Sequence, residues 1–263
     1  MMDLKDKKIL ITGGGGNGLA AGICYVLGTL GATLIVNEIS DPRIKELKKK
    51  FNNIITFRAD IADEREVKAM FSFIEKEVGS LDGLVNNAGV GLAKYAHETC
   101  VEEFDALYGI DVKGLWLVSK YFVNHLFKYG GSGNIVNISS IHALRTMNKY
   151  AIYSSAKAAV EGLTRGMAVE MGKHNIRVNA VGPGYVHSEQ NQGLLRSITD
   201  DPENWVSDHI NNYQAINRII ESENCGNVIA FLLSDMSQGI TGQTIYVDNG
   251  TSVLLYNNGF IKK

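Results

Sequence analysis

The stretch KILITGGGGNGLAAGICYVLG, residues 8–28, joins a short β-branched apolar run to a helical pattern through four consecutive glycines. Glycine is the poorest ordinary residue for the interior of a strand or a helix. Crowding it at the junction must therefore serve the junction itself. Glycine lets the chain turn tightly and lets backbone approach a ligand. The helix that follows presents unpaired N–H groups and the positive end of its dipole to a phosphate. A loop of this kind can also be a turn and nothing more, so the next strand matters. ATLIVNE ends in Glu38, twenty residues after Gly18. A carboxylate at that spacing fits hydrogen bonding to an adenosine ribose diol. It would also repel a 2′-phosphate, so NAD is expected ahead of NADP. The plainer alternative for Glu38 is a solvated strand-end charge. Arg43, in the expected first turn of a helix, is the side chain that could serve NADP instead.

Further apolar runs recur at IITFR, GLVNN, NIVNIS, IRVNAV and TIYVD, with helical patterns between them. The clearest helix is DEREVKAMFSFIEKEV, 63–78, which puts Val67, Met70, Phe71, Ile74 and Val78 on one face. Two longer helices are expected at about 101–128 and 152–173. Alternation of strand and helix predicts a Rossmann-type, doubly wound parallel sheet of about seven strands with helices on both faces. The 263 residues suit one domain, with residues 1–100 mainly the dinucleotide-binding half. The polar stretch 188–217 breaks the rhythm. A connection of that length reads as a substrate lid.

Several function classes drop out on composition. A net charge of −2 gives no reason to expect a nucleic-acid or membrane partner. Cys24, Cys100 and Cys225 are odd in number and widely spaced, with no CxxC or Cys/His cluster, so neither a disulfide frame nor a metal site is expected. The start, MMDLKDKKILITGG, has too short an apolar run for a signal peptide. A cytoplasmic setting is expected.

The motif order resembles the classical short-chain dehydrogenase/reductase family over about residues 6–252. The resemblance is carried by TGGGGNGLA, AD at 59–60, NNAG at 86–89, SS at 139–140, YSSAK at 153–157, VGPGYVHS at 181–188 and ITGQTIYVDNG at 240–250. It implies that Tyr153 is the general acid–base for a carbonyl/alcohol pair. Lys157, four residues on and on the same helix face, would hold the phenol in working range and bind the nicotinamide ribose. A free phenol titrates near pH 10, and an ammonium at ~4 Å supplies on the order of 4 kcal/mol, or ~3 pKa units, before desolvation. Ser140 would hydrogen-bond the substrate oxygen. For the cofactor, the resemblance implies contacts from Gly13, Asn17, Gly18 and Leu19 at the phosphates, Asp60 and Ile61 at the adenine, and Asn87, Ala88 and Gly89 beside the loop. Val186 would meet the carboxamide, with Ser188 close by.

Two departures stand out. The family loop is TGxxxGxG, whereas Gly18 here comes one residue late and Ala20 replaces the last glycine. GLAAGI looks like the helix start of the divergent enoyl-reductase branch, but that branch separates its tyrosine and lysine more widely. The loop reads as a one-residue insertion absorbed by the extra glycine. Asp111 stands where the family usually has an asparagine that helps hold a kinked helix near the lysine; a carboxylate there would favour the ammonium. His142 and Tyr185 are expected to face substrate, with Leu194, Leu195, Trp205, His209 and Tyr213 on the lid. The expected activity is NAD-dependent interconversion of a secondary alcohol and a carbonyl on a small polyol, sugar or hydroxy acid. An NADPH-dependent ketone or ketoacyl reductase is the alternative. A non-catalytic dinucleotide-sensing scaffold is the reading from another class. Apolar residues run nearly around the first long helix, and Ala156, Ala159, Gly162, Gly166 and Ala168 line the second. Both patterns point to helix-mediated assembly, a homotetramer with a dimer as fallback. The C-terminal stretch YVDNGTSVLLYNNGF would add to a further interface.

Overall fold

All seven apolar runs form strands, and they join in one parallel sheet of order 3-2-1-4-5-6-7. The computed structural model describes residues 2–51 and 54–255. In chain order it comprises β1 (Lys8–Thr12), α1 (Leu19–Thr29), β2 (Thr33–Glu38), α2 (Asp41–Lys50), β3 (Ile54–Arg58), α3 (Glu64–Glu77), β4 (Gly83–Asn86) and α4 (Val101–Tyr108). There follow α5 (Leu115–Lys128), β5 (Gly133–Ile138), α6 (Ala151–Met171), β6 (Ile176–Pro183), α7 (Glu189–Ile198), α8 (Pro202–Asn212), α9 (Ser222–Leu233) and β7 (Thr244–Val247). β1 pairs with β2 on one side and β4 on the other, Leu10 lying opposite both Ile35 and Leu84. Connections diverge to opposite faces at that point, which opens a crevice at the carboxyl ends of β1 and β4.

The strands are apolar on both faces because both faces are covered. Leu10, Ile35, Leu84 and Ile135 pack on one side with Phe71 and Ile74 of α3 and Val118 and Phe122 of α5. Ile9, Ile11, Leu34, Val36 and Val85 face the other way, onto Ile23 and Leu27 of α1 and Ile229 of α9. α1 and α9 touch through glycine. A Cβ on Gly22 would lie 2.4 Å from the Ser222 carbonyl carbon, and one on Gly226 would lie 2.8 Å from the Gly22 oxygen.

Two expectations change. The helix expected over 101–128 is α4 and α5 joined by a π turn, Gly109–Gly114. Of its apolar residues, Leu107, Leu115, Leu117, Val118, Phe122 and Val123 are buried within the subunit, while Phe104 and Trp116 are exposed. The stripe left for a second subunit is thus narrower than the sequence pattern suggests. On α6, Ala156 and Ala168 are buried, and a Cβ at Gly162 or Gly166 would meet open space. The lid stretch is not an extended connection but carries α7 and α8. Each starts at a side-chain cap: Ser188 accepts from the Asn191 N–H and Asp201 from the Asn204 N–H. Among the described residues no helix is long and apolar enough to cross a membrane. The C-terminal stretch proposed for an interface falls in part, from residue 256 on, outside the described residues.

Candidate active site

A cleft of about 800 Å³ is lined by the residues that follow successive strands: Gly13 after β1, Glu38 closing β2, Asp60 after β3, Asn87–Gly89 after β4, Ser140 after β5 and Gly184–Val186 after β6. A second cavity of about 470 Å³ lies at the opposite, amino ends of the strands, beside Lys7, Gly83, Gly133 and Ile176. Its cationic residues are already engaged, Lys7 with Asp82 and Arg177 with the carbonyls of Leu232 and Ser234, whereas Ser140, Tyr153 and Lys157 all line the first.

The glycines divide by task. Gly13 has φ +61°, and a Cβ there would come within 2.7 Å of the Ala88 Cα. Gly14 and Gly15 press on β2, where a Cβ would meet the Val36 side chain at 2.6 Å and Glu38 Oε2 at 2.7 Å. Gly13, Gly16 and Gly18 line the cleft together with Leu19 and Ala20. Gly18 caps α1 without a side-chain hydrogen bond, so first-turn N–H groups are left for a ligand. Thr12 and Asn87 brace this turn. Thr12 Oγ1 accepts from the Asn87 and Ala88 N–H groups, and Asn87 Nδ2 donates to the Thr12 and Gly13 carbonyls.

Glu38 is 3% exposed. Its Oε2 accepts from the Gly15 N–H, its Oε1 from the Ile39 and Ser40 N–H groups, and Arg43 Nη1 lies 3.8 Å away. The carboxylate is therefore built into the loop as well as bordering the cleft, which rules out the solvated strand-end alternative. Asp60 and Ile61 line the same end, and Asp60 Oδ1 accepts from the Ala62 N–H. Asn17 does not line the cleft. It turns outward, and its Nδ2 donates to Glu189 Oε2 on α7 at 2.9 Å. Glu189 carries no motif signal, and only the fold brings it to the loop.

At the other end stand Ser140, Tyr153 and Lys157. Ser140 Oγ accepts from the His142 N–H at 3.2 Å, which leaves its own proton to donate. Tyr153 and Lys157 are one turn apart on α6. Lys157 Nζ lies 5.6 Å from the Tyr153 ring centre, donates to the Ile138 carbonyl at 3.2 Å and sits 3.0 Å from Asp111 Oδ2. Asp111 reaches this point from the π turn. It is 1% exposed, and its Oδ1 accepts from the Val90 N–H at 2.8 Å. Gly89 makes room for the pair, since a Cβ there would lie 3.1 Å from Asp111 Oδ2. Burial pulls the Lys157 ammonium down, but the Tyr153 phenol and the Asp111 carboxylate outweigh it and hold Lys157 above its ordinary value.

Of the residues expected to face substrate or lid, His142, Tyr185, Leu194, Leu195, Trp205 and His209 line the cleft. Tyr213 does not: it is exposed and stacks on the outer side of His209. Val186 and Ser188 line the cleft, the Val186 carbonyl accepting from Asn191 Nδ2. Burial pushes the thiols of Cys24 and Cys225 up to about 12, so neither is a nucleophile at neutral pH. Among the described residues no group of His, Cys, Asp and Glu could hold a metal ion.

A parallel sheet with a glycine loop at its switch point and a serine–tyrosine–lysine set beside it defines a dinucleotide-dependent oxidoreductase. The family described as enoyl-(acyl carrier protein) reductase matches residues 14–252. The chain is 33% identical over 256 residues, 97% of its length and all of the relative's, to a 2,5-dichloro-2,5-cyclohexadiene-1,4-diol dehydrogenase of Sphingobium indicum. It is 32% identical over 255 residues, 95% of this chain and 94% of the relative, to a 2-dehydro-3-deoxy-D-gluconate 5-dehydrogenase of Formosa agariphila. Among solved structures it is similar to a gluconate 5-dehydrogenase from Burkholderia cenocepacia in complex with NADP and tartrate, with a TM-score of 0.87, 26% identity and coverage of 97% and 98% of the two chains. The chain belongs to the classical short-chain dehydrogenase/reductases, enzymes that act on CH–OH and C=O groups.

Proposed function

We propose that the protein interconverts a secondary alcohol and a carbonyl on a small hydroxylated compound, using NAD(H). The observation that carries this is the buried Lys157 held between Asp111 and Tyr153 at one end of a cleft whose other end is the glycine loop. The loop fits a dinucleotide: it has a left-handed Gly13, no room for a side chain, and an uncapped helix start. Gly13, Gly16, Gly18 and Leu19 would hold the pyrophosphate, Glu38 the adenosine ribose, Asp60 and Ile61 the adenine, and Asn87–Gly89, Val186 and Ser188 the nicotinamide half. When bound, the nicotinamide supplies the two-electron acceptor and donor. The chain's own residues handle the proton. Ser140 donates to the substrate oxygen and holds it against Tyr153. Tyr153 takes the alcohol proton or returns it. Lys157 stays charged beside it, and Asp111 positions that charge. The segment 188–217 closes over the substrate as a lid.

Buried Glu38 at the cleft wall supports NAD over NADP, while an NADP-bound relative and the nearby Arg43 support the opposite choice. Fluorescence titration decides: NADH should bind about tenfold or more tightly than NADPH, and equal or tighter NADPH binding would remove the role given to Glu38. The exposed Phe104, Trp116 and Val169 and the open glycines of α6 support assembly through these helices into a tetramer, or at least a dimer. Light scattering that shows an active monomer would refute that. Cys24, Cys100 and Cys225 are free thiols, which suits a cytoplasmic setting.

A further inference from the structure

We propose that the substrate is an uncharged, ring-shaped hydroxy or oxo compound rather than a hydroxycarboxylate or a phosphorylated sugar. This rests on the oxidoreductase reading above and narrows it.

The substrate end of the cleft has two aromatic walls. On the α6 side, His142 stacks on Tyr150 with ring centres 4.5 Å apart and stands edge-on to Tyr153 at 5.6 Å. On the lid side, Trp205 and His209 lie parallel at 5.1 Å, and Tyr185 meets both edge-on at 5.2 and 5.7 Å. Leu92, Met147 and Leu195 add apolar surface to the lining of the same cleft. Facing aromatic surfaces take up a flat or nearly flat ring through its faces and C–H edges, where an open polyhydroxy chain would strand hydroxyls on apolar groups.

Charge narrows the substrate independently of shape. Among the described residues lining the cleft, the cationic side chains are Arg43 and Lys157. Arg43 sits beside Glu38 at the glycine-loop end. Lys157 is paired with Asp111. Burial holds His142 and His209 below the ordinary histidine value and so favours their neutral forms. A carboxylate or phosphate entering here would lose its water and gain no counter-charge, and an unpaired buried anion is heavily penalised. The lid does offer neutral hydrogen-bonding capacity, since Tyr185 Oη and His209 Nε2 are buried with no partner. A second oxygen on the ring is the group that suits them.

The test compares kcat/KM for cyclohexane-1,2-diol and cyclohexane-1,4-diol with that for D-gluconate and 3-hydroxybutyrate, with NAD and with NADP. Thermal melting with each compound present gives a readout apart from turnover. The ring diols should be favoured at least tenfold and should raise the melting temperature where the acids do not. Trp205→Ala should raise KM for the diols about tenfold with kcat little changed, and Trp205→Phe, which keeps an aromatic face, should recover most of it. Equal or better turnover of the acids, or a KM indifferent to Trp205→Ala in a folded variant, overturns the inference alone. No turnover of any compound with either cofactor overturns the oxidoreductase reading, and this inference with it.

Discussion

At the glycine-loop end of the cleft, three backbone N–H groups converge on Glu38, and Asn87 ties the end of β4 to the loop. At the lid end, Tyr185 Oη and His209 Nε2 are buried with nothing to bond. In the first region the side chains are already bonded before any ligand arrives, and what stays open is the backbone at the start of α1. The second holds unmet polar atoms, each of which costs about 1–3 kcal/mol when buried, so it is arranged for something the protein does not itself contain. Dinucleotides are a common currency and can be met by a fixed shape. On the reading proposed above, substrate choice would fall to the part of the chain whose hydrogen bonding is incomplete. The Asn17–Glu189 hydrogen bond is a direct tie between the two regions.

The contrast can be broken most severely at the junction of the two regions. Tyr153→Phe should lower turnover by about 10²–10⁴-fold while cofactor affinity stays nearly unchanged; a folded variant that keeps more than a few per cent of activity would refute the assigned proton transfer. Asp111→Asn tests whether the buried pair between the two regions stabilises the fold. Lys157 is raised above its unfolded value, so its pairing contributes fully below about pH 10.4 and is lost as pH rises through the higher folded value. The variant should be less stable than wild type by about 1.5–3 kcal/mol at pH 8. The gap should narrow as denaturation is repeated toward pH 11. A gap that widens with pH would contradict the ion pair. Gly13→Ala forces a side chain into a left-handed conformation against the Ala88 backbone. The cost of about 1–3 kcal/mol should appear as lower folding stability in thermal or denaturant unfolding, with weaker dinucleotide affinity by calorimetry to the extent that the variant loop relaxes out of the turn. Unchanged stability together with unchanged affinity would mean the left-handed turn is not required. Glu189→Gln should have the smallest effect, a few-fold change in KM, since an exposed hydrogen bond contributes about 0.5–1.5 kcal/mol. A tenfold or larger change would show that this contact controls lid closure.

These differences also decide what could be read from the sequence. The seven strands were legible because both faces of the sheet are covered, which leaves continuous apolar runs. Glu38, Ser140, Tyr153 and Lys157 were legible because backbone geometry and helix spacing fix their separations along the chain. The split of the glycines was not, because Gly14 and Gly15 answer to Val36 and Glu38 on the neighbouring strand. Neither were α7 and α8: their composition is polar on most sides, and only the Ser188 and Asp201 caps mark their starts. Glu189 at the glycine loop and Tyr185 against Trp205 depend on contacts between different segments, which no local pattern encodes, whereas the stack of Trp205 on His209 follows from their i, i+4 spacing on α8. The apolar residues of 101–128 read from the sequence as facing all ways, since one helical period could not show the π turn after which Leu117, Val118 and Phe122 are buried while Trp116 stays exposed.

That π turn, Gly109–Gly114, can be read as a phase shifter. Each residue of an α-helix advances the side-chain direction by about 100°, so the wider turn lets α4 and α5 run on with an offset between their faces. Upstream, Tyr108 of α4 donates from its Oη to Ser155 Oγ on α6; downstream, Leu117, Val118 and Phe122 are buried; in between, Asp111 is delivered to Lys157. Deleting Lys113 or Gly114 would keep every apolar residue and let the turn close to ordinary helical geometry, since five α residues cover about the same rotation as the six of the wide turn. The faces of α5 would then stay roughly in place, and the local change would fall on Asp111 and its approach to the lysine. The irregularity is what allows one continuous rod to satisfy two sets of neighbours that a perfect helix could not serve together.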